Sequence, residues 1–147
     1  MGSGKGLSEL GNSEGRNRND EGDDRQSEDY SLNIIEFHNQ AKAQASRKWI
    51  MGYRTLVLTK NTVKVRLSIR ENLYIDLYFN QRYNTTNYTL ILDEERIYGR
   101  DCYDGEWHLH PYEDPGKHDM SENGKRSLNI EEFVDEVEEI LAKLSLL

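Results

Sequence analysis

The stretch TVKVRLSIRENLYIDLYFN, residues 62–80, decides how this chain folds. Val63, Val65, Leu67 and Ile69 alternate with Lys64, Arg66 and Ser68. After Glu71-Asn72 the alternation resumes, with Leu73, Ile75, Leu77 and Phe79 set against Tyr74, Asp76 and Tyr78. Successive side chains of an extended chain point to opposite faces, so a period of two marks half-buried strands. The first of these two strands carries a basic outer face.

Working outward, RTLVLT before this stretch reads as another strand, with Lys60-Asn61 as a tight turn. Beyond it, QRYNTTN is rich in turn-favouring residues and is expected to be a loop. NYTLILD and RIYGRD then read as strands separated by a turn at Glu94-Glu95, and EWHLH as a last short strand that Pro111 ends. Short strands joined by tight turns argue for an antiparallel meander of about five or six strands.

Two helices flank the strands. SLNIIEF at 31–37 and SLNIEEF at 127–133 share one chemistry: an Asn cap (Asn33, Asn129), a Glu three residues on (Glu36, Glu132), and a Leu before the cap to pack on a Phe (Leu32 on Phe37, Leu128 on Phe133). Shared capping chemistry explains the echo without an internal repeat. Ile34, Phe37, Ala41, Ala45 and Trp49 form the first apolar face, with Gly52 as the expected stop. Ile130, Phe133, Val137, Ile140, Leu141 and Leu144 form the second, opposite Glu131, Asp135, Glu136, Glu138 and Glu139. The expected architecture is a single α+β domain over residues 31–147.

Residues 1–30 hold almost no sizeable apolar side chain and carry eight acidic against four basic residues. Such a segment cannot bury enough surface to offset its ordering entropy, so a disordered acidic tail is expected. The net charge of −8 conceals a basic section, in which residues 42–70 hold eight Lys and Arg while Glu36 is the single acid of residues 31–70. That section either binds an anionic polymer such as RNA or is neutralised by acidic segments within the fold. One cysteine excludes an intrachain disulfide, and no stretch is apolar enough to span a membrane or to serve as a secretory signal. The expectation is a soluble, cytoplasmic protein without membrane partners.

The chemistry gathers in RIYGRDCYDGEWHLHPYEDPGKHD, residues 96–119, with three of the four histidines, the only cysteine and both prolines. His108 and His110 lie two apart and share a strand face, opposite Trp107 and Leu109. Beyond Pro111 the chain is expected to return and bring His118 alongside. The turn between Gly99 and Gly105 is expected to bring Arg100 toward the imidazoles, with Asp101, Asp104, Glu106 and Glu113 as neighbouring carboxylates. Three readings fit: a divalent-metal site of unspecified ion, metal-free acid–base chemistry with Arg100 stabilising a developing anion, and a structural role in a turn-rich segment. Cys102 and His38 read as ordinary packing and helix residues, and the strand tyrosines as packing rather than base-stacking groups. There is no P-loop, dinucleotide fingerprint or serine elbow, and no cofactor is expected.

Over roughly residues 60–145 the chain resembles the TumE-like toxin family of prokaryotic toxin–antitoxin pairs. The resemblance rests on Arg100-Asp101, on Trp107-His108-Leu109-His110, on His118 and on the helix that follows from Ile130. Cys102 departs from the family pattern, where Asn follows the Asp, and the acidic tail lies outside it. The resemblance implies a growth-inhibiting toxin with a dedicated antitoxin partner, acting on RNA through His108, His110, His118, Arg100 and Asp101. The alternative is a non-catalytic module that binds protein or nucleic acid through the basic strand and the aromatic face.

Overall fold

The computed structural model describes residues 32–147, with side chains from residue 33. The expected tail over residues 1–30 and the packing of Leu32 lie outside the described residues. Helix α1 (Leu32–Ala43) runs into a short 3-10 turn (Gln44–Ser46). Six strands follow: β1 (Gly52–Leu58), β2 (Thr62–Arg70), β3 (Leu73–Asn80), β4 (Thr85–Leu92), β5 (Glu95–Tyr103) and β6 (Glu106–His110). Helix α2 (Ile130–Lys143) closes the fold. The strands form one sheet in chain order, every neighbouring pair antiparallel. This is the α+β meander that the alternation predicts.

Val63, Val65, Leu67, Leu73, Ile75, Leu77 and Leu90 are fully buried together with Ile34 and Ala41 of α1 and Phe133, Val134, Val137 and Leu141 of α2. Both helices therefore pack on one face of the sheet. Aromatic side chains join the layers: Phe37 stacks on Phe79 at 5.4 Å, and Phe133 lies between Tyr88 and Tyr98 at 5.2 and 5.8 Å. The other face, carrying Lys64, Arg66, Tyr74, Tyr78, Asn87 and Thr89, has no helix over it among the described residues.

Details correct the sequence expectations. Asn33 lies inside α1, so it does not cap it, and the helix ends at Ala43, well before Gly52, which opens β1. Leu144 is 40% exposed, whereas Val134 is fully buried. The α2 start is as expected: Asn129 Oδ1 accepts from Glu132 N at 2.8 Å and Glu132 Oε1 accepts from Asn129 N at 2.9 Å. The basic section does not form one surface. Arg47 reaches Asp135 at 2.9 Å on the helical side, whereas Arg66 grips Asp76 through two hydrogen bonds of 2.8 and 3.0 Å on the open side. Among the described residues no helix is long and apolar enough to cross a membrane.

Two turns set the register of the site. Asp93-Glu94 and Asp104-Gly105 all have positive φ, the geometry of two-residue hairpin turns that match strand twist. Gly105, at φ 88°, adopts this conformation without the steric cost a side chain brings. An irregularity between Leu90 and Ile91 in the β4–β5 pairing leaves Ile97 unpaired, since Leu90 faces Tyr98 while Ile91 faces Arg96. The extra residue reverses the facing of everything before it on β5.

His38 is half-buried, its Nε2 within 2.9 Å of both Tyr53 Oη and Thr55 Oγ1. Burial, with help from Lys42, pushes its pKa below the ordinary histidine value. Its contribution to stability is thus complete above about pH 6.5 and is lost as pH falls through the lower folded pKa. Wild-type protein is expected to lose urea resistance relative to His38→Ala between about pH 7 and 5, and parallel profiles would contradict this. Phe133→Ala is expected to cost about 3–5 kcal/mol, and Asn129→Ala about 1 kcal/mol, in the same denaturation assay.

Candidate functional site

Pairing across the Asp104-Gly105 turn sets Asp101 opposite His108, Gly99 opposite His110, and Arg100 opposite Leu109. Asp101, His108 and His110 therefore share the open face, and Arg100 lies on the helical face. The expectation that Arg100 approaches the histidines fails because a two-residue turn preserves strict alternation on both strands.

Arg100 is instead 1% exposed and does structural work. Its Nε and Nη2 donate to the two oxygens of Glu136 at 3.0 and 2.9 Å, and Nη1 donates to the Asn123 carbonyl at 2.8 Å. Tyr98 Oη donates to the same carboxylate at 2.6 Å, and Arg126 adds a contact at 3.2 Å. Burial and this carboxylate raise the Tyr98 pKa well above its ordinary value, so the hydroxyl stays a donor. Glu136, expected on the solvent side of α2, is thus turned inward. The cluster ties the loop between β6 and α2 to the core.

That loop carries His118. Beyond Pro111 the chain doubles back, and Asp119 exchanges two backbone hydrogen bonds with Leu109, at 2.8 and 3.1 Å. Gly124 permits the compact return: a Cβ there would lie 2.0 Å from the Asp119 carbonyl oxygen. The result is three converging imidazoles, with ring centroids 5.1 Å apart for His108 and His110, 4.9 Å for His108 and His118, and 4.7 Å for His110 and His118. One nitrogen from each lies within 4.8 Å of the others.

The surroundings fix the rings. His110 Nδ1 lies 2.9 Å from the Pro115 carbonyl, which only accepts, so this nitrogen carries the proton and Nε2 keeps a lone pair when the ring is neutral. His108 is stacked on Tyr103 at 5.6 Å, and desolvation lowers its pKa despite the opposing pull of Asp101. His118 is exposed. Asp101, 2% exposed, sits beneath the cluster with Oδ2 3.2 Å from His110 Nε2 and 3.7 Å from His108 Nε2. Arg96 holds it with Nη1 at 3.1 Å and Asn87 donates to it at 2.9 Å. Sequence alternation alone would have put Arg96 with Arg100; the bulge at Ile97 brings it to Asp101. Asp104 and Glu106 are exposed at the turn, and Cys102 is buried beside Trp107 with its thiol pKa raised by burial, which makes it an unreactive packing group.

No protein-family model matches the chain, and no curated protein or solved structure is detectably similar to it.

Glu136→Ala would leave the Arg100 guanidinium buried without its carboxylate, and is expected to cost about 3–5 kcal/mol by chemical denaturation. Arg100→Met combined with Glu136→Leu is expected to recover most of that loss. A single Glu136→Ala variant as stable as wild type would show that the pair does not hold the loop.

Proposed function

We propose that the protein is a divalent-metal-dependent hydrolase of phosphodiesters, with its ion held by His108, His110 and His118, and that it acts as the toxin of a toxin–antitoxin pair. The observation that carries the metal is the convergence of three imidazole nitrogens within 4.8 Å, at the sheet face that no helix covers among the described residues. Ligands of a tetrahedral zinc ion with bonds of about 2.0–2.1 Å stand about 3.4 Å apart, a closure that the exposed His118 side chain can supply. Imidazole donors suit zinc and its transition-metal neighbours rather than magnesium or calcium.

Each residue has a task in this reading. Pro115 holds His110 in the tautomer that directs Nε2 to the ion. Asp101 lies on the ion's side of these rings, with Oδ2 3.2 Å from the same His110 Nε2 and 3.7 Å from His108 Nε2, and there it would add negative charge to attract the cation. Arg96 and Asn87 keep that carboxylate in place. Three protein ligands leave a position for water and substrate, where a divalent ion acidifies water and polarises a phosphoryl oxygen. Arg100 contributes indirectly, by fastening the loop that presents His118. The resemblance of Arg100-Asp101, Trp107–His110 and His118 to the TumE-like toxins supports growth inhibition as the biological role and an antitoxin as the partner.

Protein incubated with zinc and desalted is expected to retain about one equivalent of metal by elemental analysis, and His118→Ala, altered at an exposed position, to retain almost none. Induced expression is expected to slow growth for wild type and not for His118→Ala. Histidine-dependent growth inhibition by a protein that takes up no divalent ion would move the chemistry to metal-free acid–base catalysis. Unimpaired growth would remove the toxin role.

A further inference from the structure

Five side chains form a straight row across the open face. The pairing sets Lys64 opposite Tyr78, Tyr78 opposite Asn87, Asn87 opposite Asp101, and Asp101 opposite His108. Adjacent strands lie about 4.8 Å apart, so the row runs for roughly 19 Å from Lys64 to the histidines. Along it lies a depression of about 310 Å³ lined by Lys64, Tyr78, Asn87, Arg96 and Tyr103 among others. Tyr103 forms its wall next to the histidines, since its ring stacks on His108.

We propose that this row is a binding track for single-stranded RNA that leads one phosphodiester to the three histidines. The inference rests on the metal-dependent reading for its destination, and on the track's own chemistry for its ligand. Tyr78 and the half-exposed Tyr103 offer flat faces on which bases stack, as aromatic side chains do on open antiparallel sheets. Lys64, whose ammonium stands 3.9 Å from Asp76, supplies a cation for phosphate. Of the acids on this face, Asp76 is gripped by Arg66 with Lys64 3.9 Å away and Asp101 is gripped by Arg96, while Glu106, opposite Tyr103, is exposed at the sheet edge. A duplex does not fit this chemistry, because its bases are already stacked on one another and are unavailable to tyrosine.

Full-length protein, freed of metal by chelation, is to be titrated into a fluorescein-labelled ten-nucleotide single-stranded RNA and followed by anisotropy. Wild-type protein is expected to bind, with affinity falling as salt rises. Tyr78→Ala is expected to weaken binding about tenfold, Tyr103→Ala to weaken it likewise, and Lys64→Ala to weaken it and flatten the salt dependence. Circular dichroism confirms that each variant is folded. Wild-type protein that does not bind, or folded Tyr78→Ala and Lys64→Ala variants that bind like wild type, would overturn the track. Competition by uridine monophosphate as effective as by unlabelled strand would overturn it in favour of a free nucleotide. Strand binding without zinc uptake sinks the metal reading alone; zinc uptake without strand binding sinks the track alone.

Discussion

The pairing of β5 with β6 is the constraint on which the rest of this molecule depends. Asp104-Gly105 makes a two-residue turn, and a two-residue turn admits one register, with Asp101 facing His108 and Arg100 facing Leu109. A slip by one residue on either strand would exchange the faces, sending a charged guanidinium to the open surface and a carboxylate into the core. The core resists that exchange, because Leu109 and Cys102 are buried on the helical side and Glu136 waits there for Arg100. Packing and electrostatics thus specify the same register.

The sheet consequently divides one short segment between two kinds of work. On the helical face, Arg100, Tyr98, Glu136 and the Asn123 carbonyl bind β5, α2 and the intervening loop into one unit. On the open face, Asp101, His108 and His110 receive His118 from that same loop. A buried ion pair is seldom a large net source of stability against an apolar alternative, so its value here lies in where it holds the loop. His108 and His110 are presented from β6 and His118 from a loop that is hydrogen-bonded back to Leu109, which limits how far any of them strays.

The two halves of the open face are chemically complementary. One end gathers three imidazoles around a buried carboxylate, an arrangement of the kind that divalent cations accept. The other displays tyrosines and cations whose neighbouring acids are already paired, an environment suited to a polyanion that also has flat apolar surfaces. The cross-strand row from Lys64 to His108 joins them, and side chains in such a row are neighbours only through pairing, since 44 positions of sequence separate its ends.

Local chemistry in the sequence determined the strands, both helices, the box at Asn129 and the shared face of His108 and His110. Each follows from a period or from contacts within about four residues. Even the placement of Arg100 was legible, given the Asp104-Gly105 turn, because alternation on both sides of a two-residue turn leaves no choice. Tertiary structure alone decided what depends on irregularity or on distant partners. The bulge at Ile97 brings Arg96 onto the face of Asp101, and no residue type there announces an extra residue. Glu136 reads as one more acid on a solvated helix face until a buried Arg100 appears 36 residues away. The fold-back of His118 hangs on two backbone bonds to Leu109 and on the space that Gly124 leaves. Backbone hydrogen bonds form whatever side chains the residues carry, so the sequence holds little sign of them.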